Sequence, residues 1–325
     1  MINHMKYKIM QWLKRLLVLS LAVAIVISLC SCSFFGKNEE KTKMDLIQEL
    51  SQMGYEKQAT MLQSLEKNSI VMTTSKSEEK DFIMGESKIG GCPHLPENFE
   101  WPHFNAKSLA FLAQINLEQI VLYDTEKLLP ETGILYFFHE GGEEVWGFDP
   151  KDKGGFKVVH YTGSISKLTL TPLPNDLEDY MMFSPCKVNF EITKSYPSEL
   201  YELERQLFGS EDSDSHDDFY DKIYEYSGGN INKLFGYPDL IQGDIFLESQ
   251  LVTNGLYCGD QTGYMDPRAK ELEKGVSDWI LLFQVDSDDN AGMMWGDVGR
   301  IYFNIKKDDL KNCNFDNIWS AFQCG

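Results

Sequence analysis

The sequence predicts an α+β protein, rich in β-structure, with mostly antiparallel sheets, an internal duplication and an N-terminal helix. Three observations lead there. Short β-prone runs bounded by Gly and Pro recur along the chain, such as Ile134-Leu135-Tyr136-Phe137-Phe138 after Pro130-Glu131-Thr132-Gly133. Helical periodicity is strongest near the start, where Met44, Ile47, Leu50, Met61, Leu62 and Leu65 recur at three- and four-residue spacing. A three-part order of words then occurs twice. Lys88-Ile89-Gly90-Gly91-Cys92-Pro93-His94-Leu95 matches Lys233-Leu234-Phe235-Gly236-Tyr237-Pro238-Asp239-Leu240, both reading K-[IL]-x-G-x-P-x-L. Phe111-Leu112-Ala113-Gln114-Ile115-Asn116 matches Leu281-Leu282-Phe283-Gln284-Val285-Asp286, and Thr132-Gly133-Ile134-Leu135-Tyr136-Phe137 matches Val298-Gly299-Arg300-Ile301-Tyr302-Phe303. Three matches in one order read as two related halves.

In chain order, residues 44–65 are helical, with Gly54 able to divide them into two helices. Residues 69–74 and 81–84 read as strands. Residues 87–102 form a stiff elbow, because Gly90 and Gly91 permit positive φ while Pro93, Pro96 and Pro102 hold their neighbours extended. Residues 110–115 follow as a strand and 117–123 as a short helix. Strands are expected at 134–138, 145–148, 156–161, 168–173 and 186–192. Residues 198–208 and 219–226 have helical patterns around an acidic loop at 209–218. A second elbow spans 230–244. Residues 247–253 fit helix or strand. Strands at 279–285 and 300–305 flank a loop at 286–297, and 315–322 reads as a last turn or short helix.

The 325 residues carry 50 acidic and 30 basic side chains, a formal charge of −20. A field of that sign repels nucleic acid and favours cations, basic peptides or basic protein patches. The N-terminus has a processing signature. Lys6, Lys8, Lys14 and Arg15 precede an apolar run at 16–29, short for a transmembrane span and suited to a signal peptide, with an uncleaved anchor as the alternative. It ends in Leu29-Cys30-Ser31-Cys32, where Leu29 and Ser31 stand as a bacterial lipoprotein signal requires before Cys32. The expectation is a leader at 1–31, lipidation of Cys32, a tether at 32–43, and one domain at 44–325 held at the cell envelope. Cleavage removes four basic residues and no acid, taking the charge from −20 to −24. Cys92, Cys186, Cys258, Cys313 and Cys324 remain, an odd number with no C-x-x-C spacing, and read as free thiols rather than a zinc set.

Candidate chemistry is sparse. Gln114 and Gln284, at matching strand ends, suit pinning a loop or holding a ligand's backbone. Trp101, Trp146 and Trp295 are candidate groove aromatics. Arg300 opens an otherwise apolar strand and wants a carboxylate, with Asp286, Asp288 and Asp297 near in sequence. Asp286, Asp288, Asn290 and Asp297 fall at positions 1, 3, 5 and 12 of a twelve-residue run, the spacing of a calcium loop. The departures are Ala291 where the turn wants Gly and Asp where position 12 wants Glu. Cys92 lies near His94 and His103, a pairing a thiol nucleophile would need. No H-E-x-x-H, G-x-S-x-G or phosphate-loop word occurs.

The two elbows and their strands also resemble a known family. S-K-I-G-G-x-P-x-L-P…W-P at 87–102, L-A-F-L-A-Q-I-N-L at 109–117, L-P-E-T-G-I-L-Y-F-F at 129–138 and W-G-x-D-P at 146–150 are similar to the YwqG family, domain of unknown function 1963. So are L-F-G-Y-P-D-L-I-Q-G-D at 234–244, W-I-L-L-F-Q-V-D-S-D at 279–288, M-W-G-D-V-G-R-I-Y-F-N-I at 294–305 and D-L…F…W…Q-C at 309–324. The resemblance covers roughly residues 70–324. It implies one compact β-rich α+β domain and, through immunity-type relatives, a protein-binding role; it implies no reaction. The expected function is therefore a lipid-anchored envelope module that binds a protein or basic peptide, without nucleic acid and with calcium as the one candidate ion. The alternative is an envelope hydrolase built on Cys92 and a histidine.

Overall fold

The computed structural model describes residues 45–142, 144–197, 206–209, 216–227 and 232–325. The leader, Cys32, the tether, most of the helix expected at 198–208 and most of the acidic loop lie outside these residues. Two compact units divide the chain, the first ending at Glu49 and the second running from Leu50 to Gly325. The helix Leu46–Gln52 crosses that boundary.

After a helix at Glu56–Ser64 the chain enters fourteen strands: β1 (Lys67–Lys76), β2 (Lys88–Ile89), β3 (His94–Pro96), β4 (His103–Phe104), β5 (Lys107–Ser108), β6 (Ala110–Asn116), β7 (Ile134–His139), β8 (Phe156–Tyr161), β9 (Leu168–Leu170), β10 (Cys186–Ser195), β11 (Asn232–Leu234), β12 (Trp279–Asp286), β13 (Arg300–Lys306) and β14 (Trp319–Gln323). Ten form one nearly closed sheet in the order β14-β13-β12-β11-β1-β10-β2-β6-β7-β8. Every adjacent pair is antiparallel. The long β1–β10 ladder stands in the middle, pairing Lys67 with Ser195 and Lys76 with Cys186, and four strands extend on each side.

Inner faces from both sides meet in one core. The Phe137 ring lies 4.5 Å from Phe283 and 5.3 Å from Phe303 between centroids. The outer faces are covered separately. Phe111, Tyr136 and Phe138 lie beneath the first elbow with Leu95, Phe99 and Trp101. Leu281, Tyr302 and Ala321 lie beneath Leu240 and the helix Ile245–Val252. β6 and β12 are buried along nearly their whole length, so both read as apolar runs rather than alternating strands.

Several local expectations change. Residues 79–81 form a 3-10 turn where a strand was expected at 81–84, because the Asp81 carboxylate accepts the Glu78 N–H and closes the turn. Residues 145–148 join no ladder. Gly147 sits at φ 89°, and the segment lies along β14 through the bonds from Phe322 N–H to Trp146 O and from Trp319 Nε1 to Gly147 O, both 2.9 Å. Residues 319–323 are a strand rather than the end of a helix, with all five side chains buried and the β-prone Trp319 and Phe322 among them. Residues 245–252 resolve as helix, capped by Asp244, whose Oδ1 accepts the N–H groups of Phe246 and Leu247.

Candidate functional site

Each elbow is held by a buried polar ladder that repeats in detail. β2 and β11 each place a lysine opposite a glutamine, Lys88 beside Gln114 and Lys233 beside Gln284. The next strand places a tyrosine opposite each glutamine, Tyr136 and Tyr302. Gln114 Oε1 accepts the His94 N–H at 2.8 Å, and Tyr136 donates to His94 O at 2.6 Å. Gln284 Oε1 accepts the Asp239 N–H at 2.9 Å, and Tyr302 donates to Asp239 O at 2.7 Å. Two successive left-handed residues start each elbow, Gly90 and Gly91 at φ 65° and 69°, Phe235 and Gly236 at 60° and 76°. A register shift follows at matching places, between Phe111 and Ala113 and between Leu281 and Phe283.

The lysines are buried and paired. Lys88 Nζ lies 2.5 Å from Glu79 Oε2 and donates to Cys92 O at 3.0 Å. Lys233 Nζ lies 2.6 Å from Asp239 Oδ2, which also accepts from Gln284 Nε2 at 2.8 Å. Burial pulls both lysine pKa values down while the paired acids oppose it. A lysine in these words reads as a solvated charge from sequence; only the strand pairing shows that it is covered.

The other singled-out residues take varied places. Arg300 donates from Nε to Asp286 Oδ2 at 2.7 Å and from Nη1 to Asp239 O at 2.9 Å, so the acid it meets is the last residue of β12. Asp288 is turned inward: Oδ2 accepts Thr74 Oγ1 at 2.8 Å and Asn232 Nδ2 at 2.9 Å, and Oδ1 accepts the Asn290 N–H at 2.9 Å. Asn290 Nδ2 reaches Thr74 O, and Asp297 is exposed. Among the described residues no three His, Cys, Asp or Glu side chains are grouped to hold a metal ion. Trp295 is buried, donating to Asp286 O at 3.1 Å. Trp101 donates to Leu109 O at 2.9 Å, and Trp146 stacks on Phe322 at 4.4 Å. These three tryptophans pack into different parts of the core rather than along one groove.

Cys92 is half-buried, and burial with the nearby Glu79 charge raises its pKa. His94 Nδ1 accepts the Gly85 N–H at 2.9 Å, which puts the ring proton on Nε2, and burial lowers its pKa. His103 is engaged elsewhere, by Trp101 O at 2.6 Å and Ser108 Oγ at 3.2 Å. All five described cysteines are free thiols.

One surface has no signature in the sequence. β10 has ten residues, but β2 pairs only with Cys186 and Lys187. From Val188 to Ser195 the edge of β10 away from β1 has no ladder partner among the described residues. β1 is likewise longer than β11, yet Asn290 and Asp288 cover it at Thr74. Val188, Phe190 and Ile192 stand opposite Thr74, Met72 and Ile70, so they belong to the core-facing row of the sheet. Met72 and Ile70 are each 2% exposed, whereas Ile192 is 39% exposed and Phe190 and Val188 half-buried. The core's apolar row thus runs out to an open edge. The Tyr123 ring packs against Phe190 at 5.9 Å, and the preceding Leu122 is 86% exposed. The available sequence signal was the apolar–polar alternation Val188-Asn189-Phe190-Glu191-Ile192-Thr193, which marks a strand but not an unpaired one.

No functionally curated protein matches the chain. Among the described residues no helix is long and apolar enough to cross a membrane. The family model described as a domain of unknown function, DUF1963, matches residues 87–324, from the residue before the first buried lysine to the penultimate residue of the chain. Taking in both elbows and both polar ladders, that match places the chain in the DUF1963 family.

Proposed function

We propose that this protein is a peptide-binding module of the bacterial cell envelope that takes an extended, basic and partly apolar segment of a partner protein as an added strand on β10. The observation that carries this reading is the eight-residue edge at residues 188–195, which has no ladder partner among the described residues. An unpaired edge offers main-chain donors and acceptors at alternate residues, and side-chain pockets supply the selectivity. An incoming strand would set its inward side chains beside Val188, Phe190 and Ile192. The net charge of −20 favours basic residues on its outward face. The polar ladders, paired left-handed residues and matching register shifts support reading the two sides of the sheet as duplicated halves of a YwqG-like domain. In that reading the elbows are the repeated fastening of each half, and the edge of β10 is where the seam between them stays open. The lipoprotein leader adds the address: lipidation of Cys32 tethers the module to a membrane.

A photo-crosslinking amino acid at Asn189, in cells carrying the full lipoprotein, tests the binding reading. The crosslinked segment is then made as a synthetic peptide. It should bind, slow amide hydrogen exchange at alternate residues of 188–195, and lose at least tenfold affinity to Ile192→Asp. Binding that leaves β10 exchange unchanged, or no crosslink beyond that of an exposed control position, overturns it. Labelling with a fatty-acid probe tests the anchor: Cys32→Ala should abolish the label, and loss in Cys30→Ala alone would move the site.

A further inference from the structure

Several lysines of this acidic protein have a carboxylate within ion-pairing distance, as the buried Lys88 and Lys233 and the more exposed Lys187 and Lys194 do. Lys67 does not, among the described residues. Its ammonium lies 3.9 Å over the Tyr237 ring, beside a cavity of about 280 Å³ at one end of the sheet. Lys307 lines the same cavity, donating to Ser277 O at 2.8 Å, with no acid within 4 Å among the described residues. Ile70, Tyr123, Phe235 and Ile280 supply apolar wall to the same cavity, with Asn68 and Thr125 among its polar lining. Two acids, Asp124 and Glu126, also line the cavity, but among the described residues neither comes within 4 Å of the Lys67 or Lys307 ammonium. Asp124 spends Oδ2 on the Leu129 N–H at 2.7 Å, and Glu126 acts on Lys67 only from a distance.

We propose that this cavity binds a small anionic amphiphile, an aromatic or short aliphatic body that ends in one carboxylate, with the carboxylate between Lys67 and Lys307. Charge complementarity selects the head: two like charges face one concave site, and an anion between them relieves their repulsion. The apolar walls select the body, and the size sits at the lower edge of small-molecule sites, which run about 300–1,000 Å³. Withdrawal from water and the Lys307 charge both lower the Lys67 pKa, consistent with an ammonium that lacks a counter-ion. This site is carried by different residues from the β10 edge, so either stands without the other.

Calorimetric titration of the full chain with 4-phenylbutyrate and octanoate, against 4-phenylbutanamide and octanamide, tests it. At least one acid should bind in the millimolar range or tighter, with its amide at least tenfold weaker. Lys67→Gln and Lys307→Gln should each weaken the acid about tenfold and leave the amide unchanged. Ile70 and Ile280 methyl resonances should move on binding. Equal affinity for acid and amide, variants that bind the acid as the parent does, methyl shifts confined to other regions, or no binding of either acid at millimolar concentration would each overturn the proposal.

Discussion

Gln114 and Gln284 make the same hydrogen bond in the two sides of the sheet: each side-chain carbonyl accepts the backbone N–H of the sixth residue after a buried lysine, His94 at 2.8 Å and Asp239 at 2.9 Å. Both glutamines are fully buried, so neither N–H has water as a substitute. The bond fastens an elbow to the strand beneath it, and the elbow carries the apolar side chains that cover the outer face of its half.

Replacing either glutamine by Ala should therefore destabilise the protein by about 1–3 kcal/mol, the usual cost of orphaning a buried donor. The two losses should add, because the residues share no partner. Urea unfolding of the single and double variants measures this. A double variant no less stable than either single one would show that the elbows are fastened by something else.

The two buried ion pairs should respond unequally. Lys233 meets Asp239, whose side chain is 16% exposed, while Lys88 meets Glu79, which is 26% exposed and closer to water. Lys233→Met strands a charge and should cost about 3–5 kcal/mol. Lys88→Met should cost less, and Lys233→Met with Asp239→Asn should recover part of the loss. Chemical denaturation at pH 7 decides it; equal costs would contradict the part assigned to solvent access.

Glu248 should make stability depend on pH. It is 5% exposed on the helix Ile245–Val252, its Oε1 has no hydrogen-bond partner, and burial, with the Asp244 and Asp152 charges, pushes its pKa up to about 8. Between its ordinary value of 4.5 and 8 the folded protein keeps a proton that the unfolded chain has released. Its contribution is fully favourable below pH 4.5, weakens as pH rises and is lowest above pH 8. Glu248→Gln should flatten that fall and stabilise the protein at pH 9 by an amount on the order of 3–5 kcal/mol. Parallel stability–pH curves for parent and variant would rule this out.

Cys92 is expected to be a slow thiol. Its pKa is raised, whereas Cys313 is exposed, so iodoacetamide at pH 7.5 should modify Cys313 well before Cys92. Cys92→Ala should leave peptide binding at β10 intact. Rapid, selective alkylation of Cys92 would instead favour the hydrolase alternative, since a nucleophile of that kind depends on its thiolate.

The sequence by itself determined the local decisions. Most of its β-prone runs, those at 81–84 and 145–148 excepted, become strands because burial and branched or aromatic side chains agree there; at 247–253, where the pattern fits helix or strand, the Asp244 carboxylate caps a helix by accepting two N–H groups. The need of Arg300 for an acid was legible too, since a guanidinium at the start of a buried strand has few other outlets. Tertiary structure alone decided the rest. Lys88 and Lys233 look like surface charges until β6 and β12 cover them, and Trp295 looks like a groove residue until Asp286 O takes its N–H. The open edge of β10 depends on how far β2 runs beside it, and the lone ammonium of Lys67 on which acids fold to within reach. Each is set by pairing between residues up to more than a hundred positions apart, such as Lys67 with Ser195. Local periodicity states which way a side chain points along its own strand, but it carries no information on what arrives opposite.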